Sequence, residues 1–585
     1  MWCGVCMMKS KLIPIMAACL ALAFVSCGGT EKVKDKVLSW FRDDPRTRGQ
    51  TRRLSQDEFM DKVRGAWAGK MIGVSYGSPY RFRYLGRMME SGEIRPWLPE
   101  YVSNAMHQDN LYVQMSFLHA LEEKGLTIST AEAGRYFAQS QYALSHANEA
   151  ARQNIRAGIQ PPESGHPRYN PHADDVDFQN EADLFGILCP ALPVSAVRMA
   201  ETFGRLMNYG DGVYGGLFVA GMYSVAYMEK DPETVVRLGL AGIPARSRYA
   251  QLITDVLDYH QANPENWQGC WTMLEEKWAQ NDLCPDGFEQ PFNIDAKLNG
   301  GYVALGLLYG QGDFAKTLEI TTRCGQGTDA NASTAAGLVG AMVGYGGIPR
   351  NFTIGIPLIA NRNFSFTPYN FDTLTKTCAR LAREMIERNA GNIERLGERE
   401  YFEIVIQRPT PPERLEQFTP SMHRDYKNQW DNLPHIRGEG LHRRLQTVLD
   451  QFANGWKVTQ CGLQINPVLL ERYQDRYNVF MTHPLDRETP CRLSRKVTIP
   501  AQNPTLHLIV SSFDGAPNAD WLLRVKANEQ VIAEKLIGPV NGRFGWHDLK
   551  VDLSPFAEQE TTLVLENTAD DDGIETAYWA TIEIQ

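Results

Sequence analysis

The sequence lacks most of the features that would place a chain quickly. It has no excess of positive charge: 59 Lys and Arg against 69 Asp and Glu leave a formal net charge of −10. That argues against a nucleic-acid groove or an anionic membrane surface as partner. Cysteines are few and scattered. Of 11 in all, Cys3, Cys6, Cys19 and Cys27 fall in the N-terminal segment, leaving Cys189, Cys270, Cys284, Cys324, Cys378, Cys461 and Cys491. An odd number at wide spacing excludes a disulfide scaffold or a zinc motif, although Cys270 with Cys284 is compatible with pairing in an oxidising compartment. No apolar run spans a bilayer comfortably, no internal repeat is evident, and period-two alternation is nearly absent before about residue 390.

What is present begins with a targeting segment. Lys9 and Lys11 precede a mostly apolar run over 12–25, which ends in Phe24-Val25-Ser26-Cys27-Gly28-Gly29. This is the pattern of a signal peptide, with Met7 or Met8 as alternative starts. The junction cysteine resembles a bacterial lipobox, whose thiol is acylated and becomes the first residue of the mature protein; a plain secretory signal is the other reading. The expectation is a lipoprotein on a bacterial membrane, periplasmic or cell-surface, attached only through Cys27. Residues 28–53 are polar and charged, as expected of a tether.

At 585 residues the chain exceeds what one hydrophobic nucleus uses. Ser55-Gln56-Asp57-Glu58 reads as a capping box before Phe59, Val63, Ala66 and Trp67. Helical patterns continue over 131–143, 196–207, 215–228, 232–239, 247–260, 303–308, 313–324 and 371–388, predicting an all-α domain over 54–400. A segment containing Gln407-Arg408-Pro409-Thr410-Pro411-Pro412 marks a linker and packing region over 401–455. Beyond it, Leu549, Val551 and Leu553, Leu563 and Leu565, and Tyr578, Ala580, Ile582 and Ile584 alternate with other residues. Short strands at that spacing predict an antiparallel β-sandwich or jelly roll over 456–585.

Two aspartates stand in matching places. Asp109, in Met106-His107-Gln108-Asp109-Asn110, and Asp329, in Gly325-Gln326-Gly327-Thr328-Asp329-Ala330-Asn331, each lie where a polar loop becomes an apolar helix. A helix N-terminus stabilises a carboxylate, so each is a cap by default; the recurrence raises a functional reading. Three further stretches concentrate acids and amides. Asp174-Asp175-Val176-Asp177-Phe178-Gln179-Asn180-Glu181-Ala182-Asp183 places Asp177 and Glu181 four apart, on one face if helical. Asn208-Tyr209-Gly210-Asp211-Gly212-Val213-Tyr214 sets an acid between tyrosines that suit a sugar or base platform. In Asn293-Ile294-Asp295-Ala296-Lys297, Asp295 and Lys297 are expected to neutralise each other at an exposed edge.

These motifs resemble those of the ADP-ribosylglycohydrolase family, all-α metal-dependent hydrolases. Its Gly-Asp-Ala-Leu-Gly, Thr-Asp-Asp-Thr and Gly-Gly-Asp-Thr-Asp-Thr-Asn-Ala signatures correspond to Gly73-Val74-Ser75-Tyr76-Gly77, Gln108-Asp109-Asn110-Leu111 and Gly325-Gln326-Gly327-Thr328-Asp329-Ala330-Asn331-Ala332. Order and spacing agree over about 59–345. The resemblance implies two divalent ions, usually magnesium, held by carboxylates and threonines. Asp109, Thr328 and Asp329 match ligands, whereas Val74, Gln108, Asn110, Gly327 and Ala330 replace the others. Hard cations require several charged oxygen donors, so the binuclear site is doubtful and one ion (magnesium or calcium) or none fits better.

The site expected from these residues uses Asp109, Glu181, Asp183 and Asp211 for catalysis. Gln108, Asn110, Asp177, Asn208, Tyr209, Tyr214 and Asn331 are the expected substrate contacts, and Asp109, Asp329 and Thr328 the metal donors. The C-terminal sandwich weakly resembles carbohydrate-binding jelly rolls, with Trp521, Trp546, His547 and Trp579 available for sugar stacking or core packing. The expected activity is an exported glycoside hydrolase cleaving an N- or O-glycosidic bond of a small-molecule or glycan substrate, such as a furanoside. ADP-ribosyl hydrolysis and a non-catalytic glycan-binding lipoprotein are the alternatives.

Overall fold

The computed structural model describes residues 31–41, 51–140, 142, 144–279, 293–430, 446, 449–450, 452–461, 469–484, 488–513, 519–538, 545–569 and 575–585. The lipobox around Cys27 and the Cys284 half of the considered disulfide lie outside them; Cys270 is a buried thiol. Two compact units emerge, one of residues 1–91 with 96–431 and the other of residues 92–95 with 432–585. No described helix is long and apolar enough to cross a membrane.

The first unit is helical. Its centre is an antiparallel pair, α2 (Gln56–Gly77) against α8 (Thr328–Val343). Gly65, Gly69, Gly73 and Gly77 recur every four residues and so share one face. A Cβ on any of them would collide with the carbonyl oxygen of Gly340, Ala336, Ala332 or Thr328 respectively. The backbones therefore touch along four turns, and the Thr328 hydroxyl closes the last rung by donating to the Gly77 carbonyl at 2.7 Å. Ser55 caps α2 by accepting from the Glu58 amide. Around this pair lie α3 (Asp109–Lys124), α4 (His146–Arg156), the short α5 (Asp177–Glu181), α6 (Asp211–Ala226) and α7 (Ala296–Gly310).

Several expectations change here. Within the expected tether, α1 (Glu31–Phe41) is a helix that buries Val33, Val37 and Trp40, and the Trp40 indole donates to Glu229. Residues 51–55 form β1, which joins β2 (Asn392–Leu396) and β3 (Arg399–Val405) in a sheet of order β1-β3-β2. Leu54, Phe402 and Ile404 face inward from it, so the helical unit contains a strand layer that was not expected. The expected linker contributes β3 and a helix at Pro420–Trp430 to this unit. Asp295 and Lys297 do pair, but buried rather than at an exposed edge.

The second unit has two five-stranded antiparallel sheets. One is ordered β10 (Gln530–Ile537), β9 (Trp521–Ala527), β12 (Glu560–Thr568), β7 (Cys491–Thr498), β4 (Lys457–Thr459). The other runs β11 (His547–Asp552), β8 (Thr505–Ser512), β13 (Ala577–Ile584), β6 (Arg476–Thr482), β5 (Leu469–Tyr473). Leu493, Val525 and Leu565 of the first share a core with Leu508, Val510 and Trp579 of the second, which is the packing of a sandwich. Trp521 and Trp579 belong to that core, 5.3 Å apart between ring centroids. Trp546 and His547 are only partly buried.

Candidate functional site

One cleft of the helical unit gathers most of the acid and amide residues singled out above. Its lining includes Arg81, Asp109, Asn110, His146, Asn148, Asp177, Asn180, Glu181, Gly327 and Asp329. Asp109 opens α3, and Asp329 follows the first residue of α8, so two helix N-termini converge there. The position of Asp329 follows from the α2–α8 contact, since Thr328 is pinned on Gly77.

On one side of the cleft stand two carboxyls that share one amide residue. The Asn148 backbone amide donates to Asp177 Oδ1 at 3.2 Å, and its side chain donates to Glu181 Oε1 at 2.5 Å. The remaining oxygens, Asp177 Oδ2 and Glu181 Oε2, are buried with no hydrogen-bond partner among the described residues. Burial pushes the Glu181 carboxyl well above its ordinary range, and the neighbouring Asp177 charge adds to this. Burial likewise raises Asp177, to about 6, against a downward pull from His146. Glu181 is therefore placed to hold a proton near neutrality, while Asp177 gives up its own at lower pH.

On the other side the two aspartates face a cation. Arg81 Nη1 lies 3.6 Å from Asp329 Oδ2 and 3.8 Å from Asp109 Oδ1. Burial works against its charge, but Asp329, Asp109 and then Asp177 outweigh it and hold the guanidinium above its usual pKa. Burial also pushes the Asp329 carboxyl up, against the opposing pull of Arg81 and Asn110. The Asn110 amide donates to Asp329 Oδ2 at 2.9 Å.

These donors do not fit a pair of divalent ions. Asn110 turns its NH2 group, not its oxygen, toward Asp329. The Thr328 hydroxyl is committed to Gly77, Gly327 and Ala330 carry no ligating group, and Arg81 brings a positive charge to the two remaining carboxylates. A different donor set lies beside Asp177. Nδ1 of His146 and Nδ1 of His172 lie 3.3 and 3.2 Å from the same Asp175 oxygen, with all three ligand atoms within 4.8 Å of one another. Two imidazoles and a carboxylate are the donor chemistry of a zinc-type ion. His146 also has φ 47°, a left-handed backbone that a β-carbon disfavours.

The other expected residues serve the scaffold. Asp183 is corrected: it is fully buried and pairs with Lys70 of α2. Asp211 is corrected too, since it accepts from the Tyr249 amide at 3.1 Å and joins two helix starts outside the cleft lining. Asn208 ties down the loop before α5 by accepting from Phe178 N and donating to the Ala173 and Asp175 carbonyls. Tyr209 packs its ring on His166, and the Tyr214 hydroxyl accepts from Glu416 N and donates to the Arg414 carbonyl, so neither is a platform in the cleft. Gln108 donates to Ser78, and Asn331 to Asn299. The sequence reading missed Arg81, Asn148, His146 and His172. Two of them had a local signal: Arg81 lies four residues beyond the Gly73–Gly77 match, and His172 three residues before Asp175.

No curated protein matches the chain. Among solved structures, an ADP-ribosylglycohydrolase-related protein complex is similar at 13% identity and TM-score 0.36, covering 56% of this chain and 99% of that one. A cyclase from Fischerella sp. TAU is similar at 15% identity and TM-score 0.16, covering 22% and 72%. The ADP-ribosylglycohydrolase family profile matches residues 55–390, more than half of the sequence. The chain therefore belongs to the ADP-ribosylglycohydrolase family.

Proposed function

We propose that the protein is an exported glycoside hydrolase that cleaves an N- or O-glycosidic bond in the cleft between Asp109 and the Asp177–Glu181 pair. The observation that carries this is the pair itself: two carboxyls on one helical turn, each with one oxygen held by Asn148 and the other unpaired in the cleft. Glycosidic cleavage needs one carboxyl that is still protonated near neutral pH and a second that is not. Glu181 is the acid. It gives its proton to the leaving-group atom as the bond from that atom to the anomeric carbon breaks. Asp109 serves the opposite step, taking a proton from the attacking water or adding to the anomeric carbon. Asp177 keeps Glu181 protonated by its own charge, and Arg81 and Asn110 hold the Asp329 side of the cleft. Export and a lipid anchor on Cys27 rest on the N-terminal sequence pattern.

The test is turnover of a panel of aryl and disaccharide glycosides, furanosides included, alongside ADP-ribosylated protein. Glu181→Gln should lower kcat/KM about 10²- to 10⁴-fold on the preferred glycoside, with an unchanged melting curve. Efficient release of ADP-ribose, with no glycoside turned over, would replace this reading by the family's named activity. Hydrolysis that survives Glu181→Gln and Asp109→Ala together would rule out the assigned pair.

A further inference from the structure

The positive charge between Asp109 and Asp329 is covalently part of the chain. Arg81 is held there by main-chain bonds on both sides. It ends the turn Ser78–Tyr80 that follows α2, and the next residue, Phe82, has φ 55° and donates its amide to the Gln326 carbonyl at 2.9 Å. Gln326 in turn donates its amide to the Tyr84 carbonyl at 3.0 Å. The loop carrying Arg81 is thus bonded in both directions to the loop that leads into Asp329. The guanidinium lies within 4 Å of both carboxylates. The side chains at the neighbouring motif positions add no oxygen donor toward the pair. Asn110 presents its NH2, Thr328 is turned to Gly77, and Gly327 and Ala330 have nothing to offer.

We propose that Arg81 is a built-in replacement for a divalent ion: its guanidinium neutralises Asp109 and Asp329, and no metal binds between them while it is present. A divalent ion bridging these oxygens would sit in contact with a like charge, and the two carboxylates it would need are already neutralised by Arg81. A guanidinium cannot be deprotonated in practice, and offers several N–H groups in a fixed plane to more than one carboxylate. The inference deepens the assignment of the cleft as a glycosidase site by making that half of it independent of metal.

The test needs no substrate, so it stands or falls separately from the proposed activity. The full chain is titrated with Mn²⁺, free ion being followed by electron paramagnetic resonance, and melted with and without the ion. The wild type should show no Mn²⁺ binding that Asp109→Asn or Asp329→Asn removes, which also separates this spot from the His146–His172–Asp175 cluster. Arg81→Gln and Arg81→Ala should bind Mn²⁺ about tenfold tighter or more, and lose it again on adding Asp329→Asn. A variant that gains no ion but melts lower, and is restored by Asp329→Asn, supports the same charge role. The proposal is overturned if wild-type protein binds Mn²⁺ in a way that Asp329→Asn abolishes. It is overturned equally if Arg81→Gln neither gains the ion nor shows a loss of melting temperature that Asp329→Asn restores.

Discussion

Asn148 has no charge, yet it organises the charges of the cleft, gripping Asp177 through its backbone and Glu181 through its side chain. With one oxygen of each carboxyl buried and unpaired, a proton removes the charge that burial disfavours. This has a measurable sign. Asp177 is held near 6 in the fold against 3.8 for an ordinary aspartate, so the folded state binds the proton more tightly. That contribution to stability is fully present below about pH 4 and lost as pH rises through about 6. Chemical denaturation between pH 4 and 8 should show the wild type losing stability relative to Asp177→Asn across that window; parallel curves would contradict the assigned environment. The Lys70–Asp183 pair is different, since both side chains are 0% exposed. Removing one partner, as in Lys70→Met, strands a buried charge and should cost about 3–5 kcal/mol in a urea titration. Lys70→Met with Asp183→Leu should recover much of that loss, as a merely catalytic Asp183 would not.

At the scale of elements, the contact between α2 and α8 leaves no room for a methyl group. Gly73→Ala should destabilise the protein by about 2–3 kcal/mol or more, read as a lower melting temperature, whereas Gly92→Ala, where a Cβ meets nothing within 4 Å, should be neutral. Much of this level was legible in the sequence. Helices with a clean apolar stripe, such as Phe371–Arg388, and the alternating strands of the sandwich follow from periodicity alone. The ones that escaped have physical reasons. Half of the buried residues of α4 are polar (Asn148, Glu149, Arg152 and Asn154) and most of the rest are alanine, so its apolar stripe is too weak to stand out. Strands β1 and β2 are five residues each with charged outer positions, too short for alternation to stand out. Asp183 lies two residues beyond Glu181, which rotates it away from the cleft-facing side. His146 meets Asp175 and His172 only through tertiary contacts, to which a reading by spacing has no access, whereas His172 lies three residues before Asp175 and was legible.

For the whole molecule, every residue lining the cleft falls within the helical unit, and the sandwich has a core of its own. The division predicts separable roles. A chain ending after Asp431 should keep wild-type kcat/KM on a small aryl glycoside, provided circular dichroism shows it folded. If the sandwich binds glycan, the same truncation should weaken turnover of an insoluble or polymeric substrate several-fold. Equal loss on both substrates would instead make the sandwich necessary for the fold of the first unit.

The four glycines of α2 also act as a ruler. Their repeat is one rung per four residues, about 6 Å along the helix, and it sets how far α8 slides before Thr328 meets Gly77. An insertion of one or two residues within α2 would turn the smooth face away and jam side chains against backbone. A four-residue insertion could re-seat the pair, but one rung out, carrying Asp329 about 6 Å from its place. Spacing is therefore the part of this site that evolution cannot adjust in small steps, while the groups that the ruler delivers to the cleft can be exchanged one at a time. A chain in which Gly73, Gly77 and Asp329 match the family motif, while Asn110, Gly327 and Ala330 stand where that motif has ligands, is what such an asymmetry leaves.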